Sequence, residues 1–192
     1  MTSPLSDRPL FLSALPAIVD WYVSRSLTPW LAVPDRLLRL PDSIAPHLET
    51  LVMVRYLPSG EPNSEVSLAS RPDDEWVRLY RREVPVEVLT AVIDGEVAFA
   101  AIAGAAAGRG AVTEAPDGTR WVGLSAVHVV EEGRRRGLAG ALCTELLTWA
   151  AERSATRAYV QVLADNHAAT RLYESMGFSV HHRSRYVDAR TL

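Results

Sequence analysis

The chain has 192 residues, with 20 basic and 23 acidic side chains and a formal net charge of -3. This length gives room for one domain with a sizeable core, or one domain with an appended fragment, and excludes a second full domain. The negative net charge excludes a general nucleic-acid-binding surface, which needs a clear basic excess. Any anion site must therefore be local.

Two further features of the composition bear on chemistry and compartment. All 20 basic residues are arginine, so the chain has no lysine amine that an activated acyl group could modify. The single cysteine, Cys143, cannot form an internal disulfide. The absence of paired cysteines is typical of a reducing compartment, so we expect a cytoplasmic protein.

Neither apolar stretch of the sequence predicts a membrane segment. The apolar run near the start is interrupted by prolines and closed by Asp20, which favours an amphipathic helix over a signal peptide. The alanine-rich run at 98–108 falls well short of the ~20 residues that a membrane helix needs. We therefore expect a soluble protein with no membrane partner.

The first half of the chain predicts a helix, a linker and short strands. Apolar residues recur at spacings of three and four within 10–26, which predicts a helix, and 27–34 is an extended piece. Prolines at 34, 41 and 46 make the next stretch a linker. The strand candidates are 48–57 and 64–70, and an Asp-rich start predicts a helix within 71–82.

The second half predicts a regular alternation of strands and helices. Two β-rich runs within 86–104 meet at Asp94-Gly95, which predicts a hairpin. The later elements are a turn at 116–121, strands at 120–130, 155–165 and 178–187, and helices at about 137–153 and 166–177. This order predicts an α/β (α+β) sandwich around one sheet.

The segment "VHVVEEGRRRGLAG" at 127–140 is the candidate anion site. A predicted strand ends near Val130, a turn follows, and Gly137 with Ala139 lets a ligand approach the main chain of the next helix. The first N–H groups of a helix are unpaired and carry about half a positive charge. The segment therefore predicts a phosphate site, which a pyrophosphate would suit.

The spacing of this segment resembles a family motif. Arg134-x-x-Gly137-x-Ala139 resembles the acyl-CoA motif Q/R-x-x-G-x-G/A of the GNAT superfamily of N-acetyltransferases. The later stretch "DNHAATRLYESMGF" is similar to that superfamily's segment N-x-x-A-x-x-L-Y-x-x-x-G-F, matched at Asn166, Ala169, Leu172, Tyr173, Gly177 and Phe178. The resemblance covers about residues 64–190.

The resemblance implies a GNAT fold and an acetyl-CoA site. The expected fold is a central mixed, mostly antiparallel sheet flanked by helices, with the strand at 124–130 splayed from the strand at 157–163. Acetyl-CoA is the implied co-substrate, with no metal. The implied contacts are Val127, His128 and Val129 with the pantetheine arm, Arg134, Arg135, Arg136, Gly137, Leu138, Ala139 and Gly140 with the pyrophosphate, and Asn166 and Tyr173 with the cofactor.

Two of these residues are the expected catalytic groups. The N–H of Val129 would stabilise the oxyanion that forms when an amine attacks the thioester. The hydroxyl of Tyr173 would lie near the sulfur, and its ordinary pKa of ~10 suits a thiol leaving group of ~8.5.

Other positions depart from the family pattern or have plainer readings. Gly123 stands where some histone acetyltransferases of the superfamily place a glutamate base, so His128, Glu114 or a water chain are the remaining candidates. Glu131 stands where the family pattern usually has a proline before the loop. Alternatively, the three arginines form a solvated charge run, Tyr173 a core aromatic, and Asn166 a helix cap. The side chain of His128 is expected on the face opposite Val127 and Val129.

An internal echo bears on the domain organisation. Residues 21–30 share Tyr22 and Ser24 with Tyr173 and Ser175 of the segment 172–181, which fits either chance or a repeat. The repeat reading makes 1–48 a helix-strand extension and linker, the remnant of a degenerate GNAT-like unit, and 49–192 the GNAT domain. The chain would then resemble the C-terminal part of tandem GNAT proteins such as mycothiol synthase.

These observations together predict an N-acetyltransferase that works by direct transfer in a ternary complex. The expected acceptor is a small-molecule amine, and homodimerisation is left open. The acidic and aromatic residues of the early helices and hairpin loops would suit a cationic amine; they are Asp73, Asp74, Glu75, Trp76, Tyr80 and Glu114. The alternative function is a degenerate module that binds acyl-CoA without turnover.

Overall fold

The structure, a computed structural model, describes residues 8–41, 43–57 and 65–192. The helices are α1 (Arg8–Val23), α2 (Asp74–Tyr80), α3 (Val86–Thr90), α4 (Leu138–Glu152) and α5 (His167–Ser175). The strands are β1 (Trp30–Pro34), β2 (Leu48–Tyr56), β3 (Ser67–Ala69), β4 (Gly95–Ile102), β5 (Ala106–Glu114), β6 (Arg120–Val129), β7 (Arg157–Leu163) and β8 (Ser179–Asp188). Within the described ranges no helix has both the length and the apolar character that crossing a bilayer requires.

The strands form one sheet in the order β1-β8-β2-β7-β6-β5-β4-β3. The pairs β1–β8, β3–β4, β4–β5 and β5–β6 are antiparallel, whereas β6–β7 is parallel. A parallel pair needs a crossover connection, and α4 provides it. The predicted mixed, mostly antiparallel sheet with flanking helices is therefore confirmed.

The chain divides into two compact units, and the first contains both termini. It comprises 1–53, 162–170 and 180–192. The extended piece expected at 27–34 forms β1, which pairs with β8, and Val33, Leu40 and Val187 make a small core. The predicted extension at 1–48 includes residues 1–7 and 42, which lie outside the described residues.

The two segments of the internal echo adopt the same succession of elements. Residues 21–30 run from the end of α1 to the start of β1, and residues 172–181 run from the end of α5 into β8. The shared succession is compatible with a repeat, and the assignment of 1–48 as a remnant stays a prediction.

The second unit, 54–161 and 171–179, has helices on both faces of its strands. On one face α4 packs closely because the sheet lacks side chains there: a Cβ at Gly110 would lie 3.2 Å from Leu146. On the other face α2 is fixed by Trp76, whose Nε1 donates to the carbonyls of Ala100 and Gly108, both at 3.1 Å. The unit therefore has one tightly packed face and one anchored by an aromatic side chain.

The predicted hairpin at Asp94-Gly95 is wrong. The first β-rich run forms the short helix α3, which Pro85 begins and in which the Thr90 hydroxyl donates to the Val86 carbonyl (2.9 Å). Gly95 is needed for close backbone approach, because a Cβ there would lie 2.3 Å from the Val112 oxygen. The β4–β5 hairpin instead turns at 103–105, so the alanine-rich run forms its two strands.

Candidate active site

Strand β6 contains a β-bulge at the centre of the candidate site. Its register with β5 shifts between the pairs Ala107–His128 and Arg109–Ser125, so Ala126 and Val127 oppose the single residue Gly108. Ala126 takes a positive φ of 56° to make the bulge. Paired residues share a face, so Ser125 and His128 point to the side of α2, and a Cβ at Gly108 would lie 3.7 Å from Val127. This confirms that the His128 side chain lies opposite Val127.

The last part of β6, which includes the bulge, lies beyond the end of its ladder with β7. The β6–β7 ladder covers Trp121–Leu124 with Arg157–Val160, and β6 continues beyond it to Val129. The N–H of Val130 donates to the Ala105 carbonyl at 2.9 Å. Because hydrogen-bonded and non-hydrogen-bonded pairs alternate in an antiparallel ladder, the main-chain groups of Val129 point away from β5, toward the β7 side.

The same alternation bears on the predicted role of His128. The pair Ala107–His128 is the next hydrogen-bonded pair of the β5–β6 ladder. The main chain of His128 therefore faces β5, whereas that of Val129 faces the opened edge. Of these two predicted pantetheine contacts, only Val129 has main-chain N–H and C=O groups that point away from β5 and toward the opened edge.

The loop after β6 leads into an uncapped helix start. A single 3-10 turn covers Glu131–Gly133, and Gly137 at φ 79° is the N-cap of α4 without a side-chain hydrogen bond. The first helical bond is from Ala141 N–H to the Gly137 carbonyl, 3.0 Å. The three preceding N–H groups are therefore available to an anion.

The charged residues of the loop lie on the surface. Arg134, Arg135 and Arg136 are exposed, as are Glu131 and Glu132. Within the described part of the chain none of these five side chains forms an ion pair. The arginines are consequently free to reinforce an anion site that the main chain of α4 defines, and their predicted contacts stay predictions.

Tyr173 is buried on α5, with 5% of its surface exposed. Its ring meets the Phe178 ring edge to face at 5.6 Å, and it lies close to Cys143. Burial raises the pKa of the phenol well above its ordinary value, with the neighbouring Cys143 thiol adding to the effect. The hydroxyl therefore stays protonated at any physiological pH, and its acidity is less well matched to a thiol than the ordinary value suggests.

Asn166 lies in the first unit and acts there as the N-cap of α5. Its Oδ1 accepts the Ala169 N–H at 3.1 Å. The plain reading of this residue is thus confirmed, and the contact with the cofactor that the resemblance implies stays a prediction.

The position of the missing strand glutamate is filled by an aromatic ring. A Cβ at Gly123 would lie 2.6 Å from the ring and hydroxyl of Tyr159, which is paired with it across β6 and β7. A longer side chain at 123 would have to displace Tyr159. A base at this place would therefore require the Tyr159 ring, which is 44% exposed, to move aside.

The remaining base candidates differ in their surroundings. His128 Nε2 is buried, and within the described residues it has no hydrogen-bond partner. Burial, together with the Arg81 and Arg134 guanidiniums, lowers the pKa of His128, so the imidazole is neutral at pH 7. Glu114 is exposed at the end of β5 and sits opposite Arg120. Of the two side chains, only His128 lies on the face beside the bulge.

Two of the early acidic residues bind main-chain N–H groups, and the expected suitability of the set for a cationic amine stays a prediction. Asp73 is the N-cap of α2 and accepts the Trp76 N–H at 2.7 Å. Glu75 accepts the N–H of Gly104 at 2.6 Å. These two carboxylates hold helix and hairpin ends, which a spacing of residues in the sequence cannot distinguish from a binding role.

Arg109 and Tyr159 are not among the site residues predicted from the sequence. Arg109 stands among small residues in "AAAGRGAV", and a lone arginine inside a β-rich run is a signal that could have marked it. The proximity of Tyr159 to Gly123 depends on the register of β6 and β7. That register joins strands more than 30 residues apart and leaves no local signal.

A family model described as "Probable histone acetyltransferase Rv0428c C-terminal" matches residues 2–187. The chain belongs to this family. Within it, "Probable histone acetyltransferase Rv0428c" of Mycobacterium tuberculosis (strain ATCC 25618 / H37Rv) is 49% identical over 189 residues. The alignment covers 96% of this chain and 62% of that protein, so the chain corresponds to part of a longer relative.

Solved structures place this family in the GNAT fold. A GNAT-family protein from Novosphingobium aromaticivorans DSM 12444 matches with a TM-score of 0.60 at 25% identity, covering 82% of this chain and 71% of its own. A GCN5-related N-acetyltransferase from Kribbella flavida matches with a TM-score of 0.63 at 16% identity, covering 91% and 73%. The predicted GNAT resemblance is thereby confirmed for the fold.

Proposed function

We propose that this chain is an acetyl-CoA-dependent N-acetyltransferase that transfers the acetyl group directly to an amine, with no metal. The observation that carries the proposal is the continuous path from the opened edge of β6, where the Val129 N–H points outward, to the uncapped start of α4. A thioester with a pyrophosphate-bearing arm suits such a path.

Each step of the proposed reaction uses a group whose hydrogen-bonding or protonation state suits it. The free N–H groups at the start of α4 bind the pyrophosphate, with the loop arginines nearby. The Val129 N–H donates to the oxyanion as the new C–N bond forms. Tyr173, kept protonated by burial, donates a hydrogen bond to the departing thiolate as the C–S bond breaks, and the amine proton leaves to His128 or water.

A small-molecule amine is the proposed acceptor. The ring and hydroxyl of Tyr159 occupy the space beside Gly123, and the chain lacks the strand glutamate that some histone acetyltransferases of the superfamily use there. The name of the mycobacterial relative favours a second candidate, a lysine amine of a basic protein. The two are separated by assaying release of CoA thiol with a panel of small amines and with basic peptides.

A matched pair of glycine variants tests the binding site. Gly137 and Gly118 both have φ 79° and open space around a Cβ, but Gly118 lies in the β5–β6 turn. We expect Gly137→Val to weaken acetyl-CoA binding in calorimetry by about tenfold or more, because it disturbs charged hydrogen bonds at the helix start. Gly118→Val carries the same backbone strain and should bind like the parent chain.

The outcomes separate the enzyme from the alternative module. Equal affinity in both glycine variants, or no binding by the parent chain at micromolar acetyl-CoA, contradicts the proposed site. Tight binding without thiol release for any amine or peptide favours the degenerate acyl-CoA-binding module.

A further inference from the structure

Arg109 is a charged side chain on the face of the sheet that α2 covers. It pairs with Phe99 of β4 and Ser125 of β6, so all three residues share one face. Phe99 belongs to the core cluster under α2 and α3, with Trp76 and Leu89. Arg109 therefore lies at the edge of an apolar cluster, where an arginine is unusual.

The partners of this guanidinium are all neutral. Its Nε donates to the Leu89 carbonyl at 2.7 Å, and its terminal nitrogens lie 3.4 Å from Ser125 Oγ and the Ala91 carbonyl. In the portion of the chain that the structure describes, it forms no ion pair with a carboxylate. Three of the five N–H groups of an arginine are thus engaged, which leaves two.

Among the described residues, the surroundings of Arg109 supply further hydrogen-bond donors and no carboxylate paired with it. Tyr80 and Tyr159 lie close enough to Arg109 to act on its charge. The Arg81 and Arg134 guanidiniums lie close enough to His128, which shares the face, to lower its pKa. A partly buried, always charged guanidinium between two phenols is a site for a planar anion, and a carboxylate matches it in shape and charge.

Along the sheet, Arg109 lies level with the start of the opened edge of β6. Its neighbour Ser125 is the first residue of β6 beyond the last β6–β7 pair. The opened edge to which the proposed function assigns the thioester begins at that residue. An acceptor held by Arg109 would lie over the bulge, beside the face on which His128 is placed.

We propose that Arg109 binds a carboxylate of the acceptor, so that the substrate is a small amine that also carries a carboxylate, such as an amino acid. The inference rests on the proposed function and names its acceptor class. It differs from the cationic-amine expectation, whose residues Asp73 and Glu75 each accept a main-chain N–H.

Paired acceptors test the inference on the 192-residue chain. The kcat/KM for thiol release is measured for amino acids and for the amines that lack only the carboxylate, such as tyrosine against tyramine and lysine against cadaverine. We expect the parent chain to prefer the amino acid of a pair by about tenfold or more, because a charged hydrogen bond is lost with the carboxylate.

Substitution of the arginine separates recognition from structure. Arg109→Met should remove the preference, mainly through KM for the amino acid, while Arg109→Lys retains part of it and affinity for acetyl-CoA stays unchanged. Arg78→Met is the control, since Arg78 likewise donates from Nε to a main-chain carbonyl but is exposed on α2. It should keep the parent preference.

Each outcome has one meaning. Turnover by the parent chain without preference, or with preference for the decarboxylated amines, overturns the inference alone, and this holds even if Arg109→Met fails to fold. Preference that survives in a folded Arg109→Met also overturns it. Absence of turnover with every amine overturns the proposed function and the inference together.

Discussion

Tyr173 combines a hydrogen-bonding hydroxyl with a buried ring. Within the described residues its hydroxyl has no protein partner, so removing the oxygen should leave folding unchanged. We predict that Tyr173→Phe lowers kcat by about 100-fold, as expected for loss of a hydrogen-bond donor to the departing thiolate, with little change in the affinity for acetyl-CoA. Steady-state thiol release and calorimetry measure the two effects, and Tyr56→Phe, on an exposed phenol, is the control.

The direction of the Tyr173 pKa adds a pH criterion to that variant. Burial raises this pKa, so the phenol remains the acid form through the alkaline range in which an ordinary tyrosine, at ~10, begins to ionise. The parent kcat should therefore show no alkaline fall owing to Tyr173 up to about pH 10. A fall that disappears in Tyr173→Phe would contradict the burial-based assignment.

The places of residues that belong to a motif could be predicted from the sequence. The neighbours of residues that meet across paired strands could not. The positive φ of Gly177 follows from its place at a helix end, and Gly137 lies at the helix start that the motif predicts. Arg109 and Tyr159 acquire their neighbours from register, which no short window of sequence contains. The hydrogen bonds of Asp73 and Glu75 to main-chain N–H groups were likewise not predictable, because capping and binding carboxylates have the same composition.

At the scale of elements, α4 determines where the anion loop lies. Leu146 is fully buried on α4 and contacts the positions of Gly108 and Gly110, where the sheet has no side chains. Truncating it leaves a cavity that the glycines cannot fill. We predict that Leu146→Ala lowers the free energy of unfolding by about 3 kcal/mol.

Urea unfolding followed by tryptophan fluorescence tests this prediction, with the slope compared between variants. Leu37→Ala is the control, because Leu37 is half-exposed, and it should change the midpoint little. A loss well under 1 kcal/mol in Leu146→Ala would show that the interface between α4 and the sheet closes up around the gap.

Elements with a clear period were predicted, and a short element without one was not. β6, α4, β7 and α5 lie within a few residues of their predicted bounds. The five-residue helix α3 was read as a strand because Val86, Val88 and Thr90 are β-branched or alternate as in a strand. Its helical form depends on Pro85 and on the Arg109 bond to the Leu89 carbonyl, which is a tertiary contact.

At the scale of the whole molecule, two histidines give folding a common pH dependence. Burial is the first cause that lowers the pKa of both His128 and His182, from an ordinary 6.5. The unfolded chain therefore binds protons before the folded chain as the pH falls. Stability should be full above about pH 7 and decrease as the pH falls through 6.5 and below.

Urea midpoints at pH 7.5 and 5.5 measure this dependence. We predict a lower midpoint at pH 5.5 for the parent chain and a smaller difference for His128→Leu, which removes a buried nitrogen without a partner in the described region. An unchanged difference in His128→Leu would show that His128 titrates alike in both states. Asp188 does not interfere, because Arg190 holds the pKa of that carboxyl at about 2.

The bulge at Ala126 allows the two proposed substrates to be recognised by different parts of one strand. On the opened edge the donor meets main-chain groups such as the Val129 N–H, which no side-chain substitution removes. On the face toward α2 the acceptor meets side chains, among them Arg109 and Ser125. Relatives of this chain can therefore diverge in the amine they accept by point substitutions on one face, while the site for the acyl donor is inherited with the fold.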